Sequence, residues 1–368
     1  MKVAVAMSGG VDSAVAALLL KRQGHEVLGF FLHLNAPAED AATAERRCCS
    51  LDDARDAQRT AETLGIDFYA LPYRDRFAAI VEDFVAEYRA GRTPYPCVKC
   101  NQDLKFGALL DLSVAVGAEA VATGHYARLD QDSGRLRLKR AVDPDKDQSY
   151  VLFGIPRERL ARAVFPIGGL TKPQVRALAA EAGLPVRDKP ESQDLCFIPR
   201  GTVAEFLKRK APDLQRPGPV LDPEGNRIGE HPGLAFFTVG QRKGLPASSG
   251  APRYVQRLDA ASNAVVAGTR AGLRSAGLEA SKANWIAPVP AGPFQARVQI
   301  RYHHRATPAT VTALPGGKVR ILFETPQEAV TPGQAAVLYD GDEVLGGGWI
   351  DAAIASPASQ SEPSAQTA

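Results

Sequence analysis

The sequence predicts an α/β fold: a parallel-sheet domain followed by two smaller, mainly β domains, the last a C-terminal antiparallel β-barrel. Three observations carry this. Strand-length apolar runs alternate with helical stripes through the first half of the chain. The stretch Ala211–Gly233, with five Pro and four Gly in 23 residues, then breaks the alternation. Short β-branched runs between Gly/Pro turns fill Phe236–Ile350. The expected domains are 1–205, 206–280 and 281–352. A Ser/Ala/Pro/Gln-rich tail over 353–368 lacks a core-forming pattern and is expected to be disordered.

Taken in order, Lys2–Met7 reads as a buried parallel strand. Val11, Val15, Leu18 and Leu19 form one face of a helix that Gly24 closes. Val27–Leu32 is the second strand. Leu51, Ala54, Ala57, Ala61 and Leu64 give the next helical stripe, stopped at Gly65, and Asp67–Leu71 returns as strand. Helices are expected over Arg74–Arg89 and Asn101–Val116, and Glu119–Thr123 completes the strand set. Ligands of such a sheet sit beyond the carboxyl ends of its strands. In the last third, Arg297–Tyr302, Ala309–Thr312, Val319–Phe323 and Ala335–Tyr339 read as antiparallel strands.

Composition narrows the class. The chain has 368 residues, 45% hydrophobic and 23% charged, which is ordinary globular composition. Its 44 Lys+Arg against 41 Asp+Glu leave a charge of +3, so any nucleic-acid face has to be local. No apolar run approaches the length of a membrane span, and Met1–Met7 lacks the basic and cleavage regions of a signal peptide. A cytoplasmic protein without membrane association is expected. The five cysteines, Cys48, Cys49, Cys97, Cys100 and Cys196, are an odd set with none after residue 196, unlike a secreted disulfide framework.

Ser8-Gly9-Gly10-Val11-Asp12-Ser13 follows the first strand and opens a helix. Two glycines let the backbone turn tightly, and the amides and helix N-terminus present donors to a pyrophosphate. The Ser8 and Ser13 hydroxyls add donors, while Asp12 can help hold Mg2+ or cap the turn. No Gly-Lys-Ser/Thr follows, so this is not a Walker A loop. The hexapeptide resembles the PP-loop of the N-type ATP pyrophosphatases, which cleave ATP to AMP and pyrophosphate while adenylating a carbonyl oxygen.

Cys97-Val98-Lys99-Cys100 sits behind Pro94 and Pro96 at a helix start, where the helix N-terminus, Lys99 and Lys105 are expected to lower thiol pKa. Cys196 lies in a segment of low helix propensity, read as a loop. A zinc site drawing on Cys48, Cys49, Cys97 and Cys100 is the weaker reading, because adjacent cysteines chelate poorly. Gly124-His125-Tyr126 ends a strand and faces the nucleotide crevice, with Gly124 letting ATP approach its backbone. Lys146-Asp147-Gln148 offers a cation and an amide, and Arg301-Tyr302-His303-His304-Arg305 is a basic and aromatic cluster suited to phosphate contact and stacking.

Together these stretches are similar to the tRNA-specific 2-thiouridylases (the MnmA/TrmU family). The matches include Ala6–Ser13, Ala90–Pro94, Cys100-Asn101, Ala122–Tyr126, Lys146–Tyr150, Phe165–Gly168, Cys196–Ile198, Val239–Leu245 and Thr331–Gln334, and the likeness extends to Gly346–Gly348. The resemblance implies adenylation of the wobble-uridine C2 oxygen by ATP with Mg2+, then replacement of that oxygen by sulfur. It implies an ATP site at Ala6, Met7, Ser8, Gly9, Gly10, Val11, Asp12, Ser13, Leu32 and Gly124. It implies tRNA contacts at His125, Lys146, Asp147, Gln148, Arg301, Tyr302 and Gln334. Cys100 matches the nucleophile and Cys196 the cysteine that receives a persulfide, the two coming within disulfide reach. The sulfur would come from a donor protein, a cysteine desulfurase or sulfur relay protein. Many members carry Asp-x-x-Cys where this chain has Cys97-x-x-Cys100. Cys97 is therefore either an accessory thiol or, with Cys100 and Cys196, a ligand of a 4Fe–4S cluster that carries sulfide. The rival classes are a PP-loop synthetase for a small metabolite and a metal-stabilised, non-enzymatic RNA-binding protein.

Overall fold

A computed structural model of the chain describes residues 1–34, 51–132, 134–190, 195–198, 201–246 and 251–356. The first domain contains β1 (Lys2–Ala6), β2 (Glu26–His33), β3 (Asp67–Pro72), β4 (Ala120–Thr123), a hairpin of β5 (Ala127–Asp132) and β6 (Arg135–Arg140), and β7 (Ala163–Val164). β3, β2, β1, β4 and β7 form one parallel sheet in that order. The chain winds outward from β1 through β2 to β3 and then returns to β1's other side as β4. The crevice beyond β1 and β4 is thus the switch point where ligands of such sheets bind.

The helices follow the apolar stripes. α1 (Val11–Arg22) buries Val11, Ala14, Val15, Leu18 and Leu20, and α2 (Leu51–Leu64) buries Ala57, Thr60, Ala61 and Leu64. α2 stops at Gly65, whose φ of +59° suits glycine. α3 covers Arg74–Arg89 as expected, with Phe77, Ile80, Phe84, Val85 and Tyr88 inward. The helix expected over Asn101–Val116 is compound instead. A turn of α-helix over Pro96–Lys99 passes into π-helix over Cys100–Ala108 and back to α-helix over Leu109–Ala115. Gly107 permits the wide turn, since a Cβ there would stand 2.8 Å from the Gln102 carbonyl oxygen.

The middle domain is a four-stranded sheet of β8 (Gly218–Leu221), β9 (Arg227–His231), β10 (Tyr254–Asp259) and β11 (Ala264–Gly268), ordered β10-β11-β8-β9. Val220, Phe237, Val255 and Val265 fill its core. The last domain has β12 (Arg274–Trp285), β13 (Phe294–Gln299), β14 (Thr307–Leu314), β15 (Lys318–Glu328), β16 (Ala335–Asp340) and β17 (Glu343–Ala355). They run β12-β15-β14-β13-β16-β17, and pairing of β12 with β17 closes a six-stranded barrel. Leu278, Val298, Val311, Ile321, Leu338 and Ile350 fill it.

Three expected boundaries shift. Residues 205 and 206 lie inside a helix, Val203–Lys210, whose Leu207 packs with Phe84 and Tyr88 of α3. Residues 280 and 281 lie inside β12, so the barrel begins near Arg274. Residues 353–355, expected to belong to the tail, are part of β17, which continues to Ala355 and pairs there with Ser275. Backbone pairing holds that end while its side chains are largely exposed, so no apolar pattern marks it. Residues 357–368 lie outside the described residues.

The barrel is fused to the first domain. Tyr150, Phe153, Ile286, Val337 and Tyr339 share one buried cluster. Tyr150 Oη donates to Ala335 O at 2.9 Å, and Asn284 Nδ2 donates to Phe153 O and Ile155 O at 2.6 and 2.9 Å. The turn at Gly333 lies against Thr93: Thr93 N donates to Pro332 O at 2.8 Å, and Gln334 Nε2 donates to Thr93 O at 2.8 Å. Gly333 has φ +92°, and a Cβ there would stand 2.9 Å from Thr93 N. Gly333→Ala is therefore expected to destabilise the protein by about 1–2 kcal/mol or more, measured by urea denaturation.

Candidate active site

The loop between β1 and α1 is held by its own serines. Ser8 N donates to Ser13 Oγ at 3.1 Å, Ser13 Oγ donates to Gly10 O at 3.1 Å, and the two hydroxyls lie 3.3 Å apart. Gly9 takes φ +73° and packs against the backbone of Asp53. Gly124 serves the loop itself: a Cβ there would lie 2.6 Å from Ser13 N and 2.7 Å from the Asp12 carbonyl carbon. Its lack of a side chain brings the end of β4 against the loop.

Asp12 is already engaged. Lys172 Nζ lies 2.8 and 2.9 Å from its two carboxylate oxygens, and Tyr126 Oη donates to it at 2.8 Å. Lys172, buried to 7% exposure, opens the helix Lys172–Glu181, where Gln174 Oε1 accepts from Thr171 N. Sequence reasoning missed Lys172. Its signal was a cation at a capped helix start, 160 residues from its partner.

A cavity of about 230 Å³ opens at the switch point. Of the expected nucleotide residues, Ala6, Met7, Ser8, Asp12, Ser13, Leu32 and Gly124 line it. Gly9 and Gly10 shape the turn behind it, and Val11 is buried in the core. A second cavity of about 300 Å³ is lined by Cys97, Cys100 and Cys196 with Tyr95, Asn101 and Tyr302. Cys100, Lys105, His125 and Gln148 line both, so the two spaces adjoin at the nucleophile candidate. Cys196 sits in a turn, as expected for a loop residue, and Phe197 beside it packs on Phe77 and Phe84. Cys48 and Cys49 lie outside the described residues.

The thiols run against expectation. Burial pushes Cys97 up to about 11, with the neighbouring Cys100 adding to the shift and Lys105 opposing it. Burial also raises Cys100, again opposed by Lys105. The helix N-terminus does not prevail because it is packed under Tyr95 and the barrel, where desolvation of a thiolate outweighs a helix-end dipole. Burial, then Lys105, hold His125 well below its ordinary value, so it is neutral at physiological pH. Its Nδ1 lies 2.7 Å from Thr123 Oγ1.

The expected RNA-contacting residues divide. Gln148 lines both cavities, and its Oε1 accepts from Tyr126 N at 3.0 Å. Asp147 is spent internally: it accepts from an Arg140 guanidinium nitrogen at 2.6 Å, from Ala141 N and Ser149 N at 3.1 Å each, and from Ser149 Oγ at 3.0 Å. Lys146 is half-buried and lines neither cavity. Tyr302 reaches the thiol cavity, stacked on Tyr95 with centroids 5.9 Å apart. Arg301 is exposed and donates to Glu328 O at 3.2 Å. Both lie in a turn, not the strand expected, because β13 ends at Gln299 and Gln299 Nε2 caps the Arg301 and Tyr302 carbonyls. Gln334 is committed to Thr93 O.

Iodoacetamide labelling of Cys97, followed peptide by peptide, tests these pKa directions. Its rate should still rise about tenfold per unit near pH 9.5, where an ordinary cysteine has levelled off above about pH 8.5. Cys100 should also level off later than an ordinary cysteine.

Comparison with known proteins matches three family models in order: a tRNA methyl transferase HUP domain over residues 1–200, a tRNA methyl transferase PRC-barrel domain over 204–269, and an aminomethyltransferase beta-barrel domain over 275–350. The tRNA-specific 2-thiouridylase MnmA of Geotalea uraniireducens is 47% identical over 359 residues, which is 96% of each chain. That of Geobacter metallireducens is 46% identical over 358 residues, covering 96% of this chain and 97% of its own. That of Heliobacterium modesticaldum is 49% identical over 357 residues, covering 95% and 92%. With similarity of this depth running through all three domains, the chain belongs to the tRNA-specific 2-thiouridylase family.

Proposed function

We propose that the protein is a cytoplasmic, ATP-dependent tRNA-uridine 2-sulfurtransferase that converts the wobble uridine to 2-thiouridine. The adjoining cavities carry this reading, one walled by the phosphate loop and the other by Cys97, Cys100 and Cys196, with Cys100 common to both. ATP occupies the first and the extruded uridine the second, as chemistry on a base requires leaving the stack. The C2 oxygen attacks the α-phosphorus and pyrophosphate leaves. The outer sulfur of a Cys196 persulfide then attacks C2 and AMP leaves. Cys100 next attacks the inner sulfur, releasing 2-thiouridine and leaving a Cys100–Cys196 disulfide for a dithiol to reduce. The raised thiol pKa of Cys100 means that it is protonated at rest, and Lys105 is the cation available to favour its thiolate.

Mg2+ suits a site that supplies one carboxylate, Asp12, with the remaining ligands from phosphate and water. Its chemistry there is neutralisation of the departing pyrophosphate. Asp12 would exchange its bond to Lys172 for the metal, leaving the lysine to face the phosphates. A 4Fe–4S cluster fits less well. Among the described residues no group of three His, Cys, Asp or Glu side chains is arranged to hold a metal. The sulfur donor, a cysteine desulfurase or sulfur relay protein, would dock where it reaches Cys196. Arg301 and Lys146 serve tRNA phosphates, Tyr302, His125 and Gln148 the base pocket, and Asp147 and Gln334 brace the segments that carry them. Three domains, close to 1–202, 203–273 and 274–356, divide these tasks. Among the described residues no helix is long and apolar enough to cross a membrane.

Asp12→Ala and Ser13→Ala should abolish tRNA-dependent pyrophosphate release while tRNA binding in a filter assay stays within about twofold, because affinity rests on scattered phosphate contacts. Pyrophosphate release at full rate without tRNA would favour a small-metabolite synthetase instead. Cys100→Ser and Cys196→Ser should each eliminate 2-thiouridine, scored by nucleoside mass spectrometry, whereas Cys97→Ser should retain part of the activity. Equal loss in all three, with iron leaving the anaerobically purified protein, would favour the cluster route over the persulfide route.

A further inference from the structure

We infer that the side-chain oxygen of Asn101 accepts the N3–H of the target base and so makes the enzyme select uracil over cytosine. This rests on assigning the thiol cavity to the base. Asn101 follows Cys100 directly, is 1% exposed, and lines that cavity. Its Nδ2 donates to Val151 O at 3.1 Å. A carbonyl can only accept, so this bond sets the orientation of the amide and leaves Oδ1 as its other end. Oδ1 is shielded from solvent and has no hydrogen-bond partner among the described residues.

A buried acceptor left unpaired lowers stability and calls for an explanation in the working state. The backbone around it is unusual as well. The π-helix that starts at Cys100 carries Asn101 in its first turn, and such wide turns recur at functional sites. Ring chemistry supplies the ligand. In uracil, N3 is bonded to C2, so a base that turns C2 toward the sulfur groups presents N3–H on the adjoining edge. Cytosine has a lone pair at that position and would oppose its own acceptor to Oδ1. The same bond helps retain the proton on N3 once the C2 oxygen is adenylated. The ring then carries positive character at C2, sulfur adds, AMP leaves, and N3–H persists in the product, so no proton need be removed from N3.

The test compares kcat/KM for 2-thiolation of one full-length tRNA carrying uridine, cytidine or N3-methyluridine at the wobble position, with wild-type protein and with Asn101→Ala. Wild-type protein should favour uridine over each of the other two by at least about 10- to 100-fold, the range of one well-placed hydrogen bond to a base edge. Asn101→Ala should lose a comparable factor on uridine and discriminate against N3-methyluridine by less than about threefold, with ATP binding near wild type. Asn101→Ser replaces it if the alanine variant does not fold. A variant that discriminates as sharply as wild type, or a wild-type protein that accepts N3-methyluridine as well as uridine, overturns the inference. If wild-type protein makes no 2-thiouridine from unmodified tRNA, the parent assignment fails and this one with it.

Discussion

The Arg140–Asp147 ion pair is the joint on which the thiol cavity depends. Arg140 ends β6, and its guanidinium reaches Asp147 at 2.6 Å and Gln299 Oε1 at 3.0 Å while lying 3.6 Å over the ring of Tyr339. Asp147 in turn holds the backbone of Ala141 and Ser149, which fixes the segment bearing Gln148. Gln299 holds the carbonyls of Arg301 and Tyr302. One cation thus sets the spacing between a loop of the first domain and a turn of the barrel. Its planar fork suits this, because separate guanidinium nitrogens meet Asp147 and Gln299 while the flat group lies over the Tyr339 ring. Asp147 is mostly buried, so loss of the arginine would strand a carboxylate.

Around this joint the domains contribute different physics. The parallel sheet supplies a rigid crevice with backbone donors, and the loop serines spend their hydroxyls on keeping its shape. The barrel adds the stacked Tyr302–Tyr95 wall and, through Gly333 and Gln334, holds the segment that leads into Cys97. Desolvation follows from this enclosure. It keeps Cys97 and Cys100 protonated and His125 neutral, so Lys105 becomes the charge that both cavities share. A buried site of this kind favours sulfur in its protonated, less reactive form.

Much of this was legible in the chain. Periodicity located the parallel strands and α3, whose side chains alternate between core and solvent at the helical repeat. The Ser8–Ser13 loop and the Cys97–Cys100 pair stood out because a few residue types at short spacing carry their chemistry, whereas Cys196, far along the chain from both, was singled out only by the family resemblance. Other features left no local trace. β17 runs on to Ala355 through backbone pairing, and the π-helix at Cys100 depends on packing around Gly107.

What the sequence by itself determined was the set of elements and the chemical groups, since both depend on neighbours within a turn or two. What only the tertiary structure decided was how those groups are spent. Lys172 meets Asp12 from 160 residues away, and Asp147 and Gln334 turn inward as braces. The thiols rise in pKa where a helix start suggested a fall. The physical reason is common to all of them: partner choice and desolvation are set by what packs across space, and no residue carries that in its own spacing.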